Sequence, residues 1–134
     1  INVAGSDARY SFHWTGTSGR LYVFEAPIDL LSFLTLYPAG WQAHSYVALC
    51  GLGEQAMLWM LEQNPPIRQV LLCLDRDRAG MEAAARLTDR LRERGYTQIS
   101  VLQPEQKDWN EDLQARDGPE VRSAEEPLFQ MEMG

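Results

Sequence analysis

Carboxylates carry the most informative spacing in this sequence. Asp75 and Asp77 stand two apart in Leu74-Asp75-Arg76-Asp77-Arg78-Ala79-Gly80, straight after the apolar run Val70-Leu71-Leu72-Cys73. In extended chain, a spacing of two points both side chains the same way. Two carboxylates that close repel unless something positive lies between them, and a hard divalent cation with oxygen ligands does this. Magnesium suits the pair, because it keeps several waters and is held by one or two carboxylates plus substrate phosphate. The competing reading is local: Asp75 ends a strand and Asp77 caps the next helix. Spacing alone leaves both open. Glu25 weighs toward the metal, since a charge directly after Tyr22-Val23-Phe24 is costly to bury unless paired or metal-bound.

Other candidates follow the same logic of position. Asp29 reads first as an acid favourable in the first turn of a helix. Its second possible role is to orient Glu25 or a metal-bound water. Lys107, the only lysine beside eleven arginines, could meet a phosphate as a point charge or simply face solvent. Arg76 and Arg78 flank the acids, and either grip a nucleic-acid backbone or neutralise the carboxylates. Asp108, Asn110, Glu111 and Asp112 complete an acidic segment after Lys107. The turn Gly51-Leu52-Gly53 could admit a phosphate to backbone N–H groups, but it lacks the G-x-G-x-x-G spacing of a dinucleotide site. His13 and His44 are isolated, and no Cys/His spacing suggests zinc. Trp14, Trp41 and Trp59 read as packing residues.

These groups need elements to position them. Arg9 to Trp14 alternates like a half-buried strand, Thr15 to Gly19 is turn chemistry, and Leu21 to Phe24 is a short apolar strand, so a hairpin is expected. Pro27 opens a helix that is apolar on most sides, and Pro38-Ala39-Gly40 ends it. Tyr46 to Cys50 reads as a buried strand, Glu54 to Gln63 as a helix, and Val70 to Leu74 as a strand. A long helix runs to about Arg94, with Met81, Ala84, Leu87 and Leu91 as its expected buried stripe and Gly95 as its cap. Gln98 to Leu102 is the last strand. Strand alternating with helix predicts a parallel sheet covered on both faces. In such sheets ligands bind beyond the carboxyl ends of the strands, and acids follow three of the four. The expected organisation is an edge strand or hairpin over 1–20, one domain over 21–118, and a flexible tail over 119–134.

Composition bounds the rest. The chain has 134 residues, 45% hydrophobic and 23% charged, which suits one globular domain. The longest apolar stretch, Ala26 to Tyr37, is broken by Pro27 and Asp29 and falls short of the roughly 20 residues a membrane span needs. A net charge of -7 argues against a broad basic platform for nucleic acid, but not against an enzyme that handles phosphates through metals. Cys50 and Cys73 sit in apolar runs and read as buried, reduced thiols, which fits the cytoplasm. The chain opens on Ile1 without a basic-then-apolar leader, and the expectation is a piece of a longer protein.

Taken together, the motifs resemble the Toprim domain of primases, topoisomerases and some nucleases. Val23-Phe24-Glu25-Ala26-Pro27-Ile28-Asp29 is similar to its first motif, and Leu74 to Gly80 to its second, D-x-D followed by a small residue and glycine. Val47 to Gly53 and Lys107 to Leu113 resemble the intervening and late acidic segments of primases. The nearest likeness is to primase-like proteins of plasmids and integrative elements. Two positions depart from the pattern: Ala26-Pro27 replaces a glycine after the glutamate, and Asn110 stands where primases often have aspartate. The resemblance implies an α/β Toprim (Rossmann-like) fold with about four parallel strands flanked by helices. It also implies magnesium- or manganese-dependent phosphodiester chemistry on DNA or RNA, with nucleotides and other domains of a parent chain as partners. Carried over, Glu25 is the general acid or base, and Asp75 and Asp77 hold the metal with Asp108 as a further ligand. Asp29, Arg76, Arg78, Lys107 and Asn110 support the metal or the substrate. Two other readings remain: a receiver-like phosphoacceptor domain, and a binding module without turnover.

Overall fold

The computed structural model describes residues 12–117. The expected tail over 119–134 and the start of the N-terminal strand lie outside that range. Strands are β1 (His13–Trp14), β2 (Arg20–Phe24), β3 (Ser45–Ala48), β4 (Gln69–Leu72) and β5 (Gln98–Val101). Helices are α1 (Pro27–Leu36), α2 (Gln55–Gln63), α3 (Arg78–Glu93) and α4 (Trp109–Arg116), with a short 3₁₀ turn at Trp41–Ala43.

The strands form one sheet in the order β1-β3-β2-β4-β5. β2 pairs in parallel with β3 and with β4, and β4 in parallel with β5, so four strands are parallel as expected. Period-two alternation sends the strand side chains to opposite faces. Leu21, Val23, Val70 and Leu72 join Met57, Met60, Leu87 and Leu91 beneath α2 and α3. Tyr22, Phe24, Leu71 and Cys73 join Leu30, Phe33 and Trp109 beneath α1 and α4. Burial on both faces is why these strands read as continuous apolar runs.

Four details depart from the expectation. The first strand lies at the sheet edge, but it pairs antiparallel with β3 (His13 opposite Val47) and not with β2, so no β1–β2 hairpin forms. The helix α1 is open on one side, with Ile28 53% and Leu31 42% exposed. Met81 leaves the buried stripe of α3 and is 57% exposed. Cys50 lies past the end of β3 at a φ of 54° and is exposed, while Cys73 is buried, and both thiols are free.

From β2 the chain passes to β3 on one side, then crosses to β4 on the other. This switch opens a crevice beyond the carboxyl ends of β2 and β4. Glu25 leaves the first of those ends and Asp75 the second.

Candidate metal centre

Asp75 sits in the connection between β4 and α3, and its setting is fixed by its neighbours. Asp77 is the N-cap of α3, its Oδ1 accepting the Gly80 amide at 2.7 Å. Gly80 lies against the Asp75 backbone so closely that a Cβ there would collide with the Asp75 carbonyl oxygen. The glycine that ends the D-x-D motif is therefore a packing requirement of the site. Asp77 is thus partly committed to capping, and its Oδ2 faces Lys107 Nζ at 4.0 Å.

Asp29 projects from the first turn of α1 and is only 4% exposed. Its Oδ1 accepts the Asn110 amide at 3.2 Å, at the N-terminus of α4, where partial positive charge favours an anion. The Asn110 side chain in turn accepts from Ser32 Oγ at 3.4 Å. Asp108 is the N-cap of α4, with Oδ1 accepting the Glu111 amide at 2.8 Å. One carboxylate oxygen from each of Asp29, Asp75 and Asp108 lies within 4.8 Å of the other two.

This trio forms the compact core of the site, with Glu25 and Asp77 beside it. Burial raises the pKa of Asp75 to about 6, helped by the charges of Glu25, Asp29, Asp108 and Asp77 in that order. Glu25 is also raised, by burial first and then by Asp77, against the Asp75 amide and the Arg86 guanidinium, which lower it. Asp29 is raised by burial, against its bond from Asn110. Five carboxylates thus act on one another in one crevice.

The donor set is all oxygen, as a hard cation requires. The Asp75 Oδ1 atom is buried without a hydrogen-bond partner. An unpartnered buried carboxylate oxygen is costly, and a cation would satisfy it. On both grounds Asp29, Asp75 and Asp108 fit a hard divalent cation.

The basic candidates separate. Arg78 is exposed and, among the described residues, pairs with Glu82 at 3.4 Å, leaving it open to solvent. Arg76 is exposed, yet its Nε donates to the Pro104 carbonyl at 2.7 Å. His13 meets Trp59 edge-on, and His44 Nδ1 meets Ser18 Oγ at 2.7 Å. Trp14 packs on Trp41. Sequence reasoning gave no weight to Trp109, which is buried and donates from Nε1 to the Cys73 carbonyl at 3.1 Å. That bond fixes α4, and so Asp108, to the end of β4. Its signal was the D-x-x-E spacing of Asp108 and Glu111, a capping-box pattern.

A family model described as Toprim-like matches residues 22–113. The chain belongs to the Toprim-like family. It is 34% identical over 106 residues to an uncharacterized protein of Mycoplasma pneumoniae, covering 74% of this chain and 45% of that one. A counterpart in Mycoplasma genitalium is 30% identical over 94 residues, covering 68% and 40%. The chain therefore spans less than half the length of these curated relatives. Its fold is similar to the crystal structure of the primase fragment of the bacteriophage T7 primase-helicase protein. That match has a TM-score of 0.59 at 23% identity and covers 78% of this chain and 42% of that one. Among the described residues, no helix of this Toprim-like chain is long and apolar enough to cross a membrane.

Proposed function

We propose that this Toprim-like domain carries out magnesium-dependent phosphodiester chemistry, nucleotidyl transfer or cleavage, on DNA or RNA. On this reading it is the catalytic part of a longer, cytoplasmic, primase-like protein of a mobile element. The observation that carries the reading is the convergence of Asp29, Asp75 and Asp108 at the carboxyl edge of the sheet, with one Asp75 oxygen buried and unpartnered. Membership of the Toprim-like family supports the same chemistry and leaves the receiver-like reading without support.

Asp29, Asp75 and Asp108 would hold the magnesium or manganese ion, with Asp77 Oδ2 beside them. A bound ion there supplies neutralisation of charge on the phosphoryl group being transferred. Glu25 has a raised pKa from burial and the Asp77 charge, which brings its carboxyl nearer to working pH and suits it to accept and return a proton. Lys107 stands at the rim as a point charge for a phosphate oxygen. Arg78, exposed and weakly paired, is free to meet a nucleic-acid backbone. Asn110 holds Asp29 through its amide and so orients one ligand.

The test is Glu25→Gln in the full-length parent, assayed for magnesium-dependent nucleotide incorporation and strand cleavage. Loss of turnover by about 10²-fold or more with nucleic-acid affinity retained is expected. Unchanged turnover removes Glu25 from the chemistry, and a parent without any turnover favours the binding module.

A further inference from the structure

The connection from β5 to α4 delivers Asp108, and its backbone is tied at both ends and through three successive amides. The Pro104 carbonyl accepts Arg76 Nε at 2.7 Å, and the Lys107 carbonyl accepts the Arg76 amide at 2.7 Å. The Glu105 and Gln106 amides donate to the two oxygens of Asp112 at 2.9 and 2.7 Å. The Lys107 amide donates to Glu111 Oε1 at 3.3 Å. One residue of the β4–α3 connection therefore grips both ends of the 104–107 loop, and one side chain of α4 fills its middle. Arg76 lies directly between Asp75 and Asp77, while Asp108 is the first residue past the loop.

We propose that Arg76, braced by Asp112, is a positioning residue that sets the spacing of Asp75 and Asp108, and that its guanidinium does not serve as a nucleic-acid contact. Carboxylates brought this close repel, so two loops that each deliver one would part unless tied. Arg76 supplies the tie through Nε, the guanidinium N–H nearest its own backbone. The sequence alone offers Arg76 two roles that depend on its charge. The geometry assigns it a third, which depends on its hydrogen bonds.

The two kinds of role give opposite signs in one measurement. A positive charge beside a cation site opposes the cation, so removing that charge should tighten binding. Removing a brace should loosen it, by about tenfold if Arg76 acts as supporting groups of metal ligands commonly do. This proposal rests on the cation reading given above, so the experiment carries a second readout independent of it. Mn2+ binding is measured on the full chain for the wild type, Arg76→Ala and Asp75→Asn, together with amide exchange of residues 105–107 in the metal-free protein. Weaker Mn2+ binding and faster exchange in Arg76→Ala are expected. Equal or tighter Mn2+ binding with unchanged exchange overturns the proposal, as does weakened DNA binding with both of those unchanged. If the wild type binds no Mn2+, the cation reading fails by itself. The brace is then judged on exchange alone, with faster exchange upholding it and unchanged exchange overturning it.

Discussion

Replacing Asp75 by Asn should have opposite effects on the metal-free and the cation-bound protein. Its carboxyl is raised to about 6 by burial and four neighbouring acids, whereas in the unfolded chain it ionises near its ordinary value of about 4. Between those values the folded chain holds the extra proton. The stability this group contributes is therefore present below about pH 4 and lost as pH rises through about 6. With a chelator present, Asp75→Asn should raise the Tm near neutral pH by a few degrees, and the difference should shrink toward zero near pH 4. Thermal unfolding at the two pH values checks this. A lower Tm at neutral pH would show that Asp75 is already satisfied without an ion. Residue types and spacing pointed to Glu25, Asp75 and Asp77 as candidates, while Asp108 stood out from its neighbouring acids only through the family resemblance. They could not rank Asp29 among the compact trio, because the N-terminus of α4 that meets it is 81 residues away along the chain. They also could not tell that Asp77 would spend one oxygen on a cap.

At the scale of elements, the start of α3 depends on Gly80, whose missing Cβ lets the helix lie on the Asp75 backbone. Gly80→Ala should lower stability by about 1–3 kcal/mol, the usual range for overpacking. It should weaken cation binding as well, although position 80 bears no ligand. Denaturant unfolding and a Mn2+ titration on the same variant read both effects. The seat of α4 depends on Trp109, held between Phe24 and Phe33 with its indole on the Cys73 carbonyl. Trp109→Phe keeps most of the apolar contact and loses that bond, so a loss of about 1 kcal/mol is expected in denaturant unfolding. Hydrophobic periodicity revealed β2, α1, α2, β4 and α3 to within a few residues, because each buries a regular stripe or most of a strand, and β5 too, although its residues are only half-buried or exposed. It did not reveal α4, whose one buried residue is Trp109. Nor could it choose the partner of β1, since pairing with β3 instead of β2 is decided by contacts across the sheet and not by local pattern.

For the whole molecule, the topology makes the site. Crossing from β3 over β2 to β4 leaves an open crevice where Glu25 and Asp75 meet, and the N-termini of α1, α3 and α4 all bring an acid to it. The cost is a cluster of negative charge within a chain whose net charge is already -7. Divalent cation should therefore stabilise the fold, by about 2.7 kcal/mol at a hundredfold excess over Kd, and a Tm series in magnesium with a monovalent-salt control reads it. The most direct test of the account localises that cation. In amide NMR spectra of the chain, small additions of Mn2+ should broaden residues 25–29, 75–77 and 107–110 first. The amino ends of the strands at Arg20, Gln69 and Gln98 should be spared, and Asp75→Asn should abolish the selectivity. Broadening spread over surface acids such as Glu82 and Glu93, or the same pattern in Asp75→Asn, would contradict it.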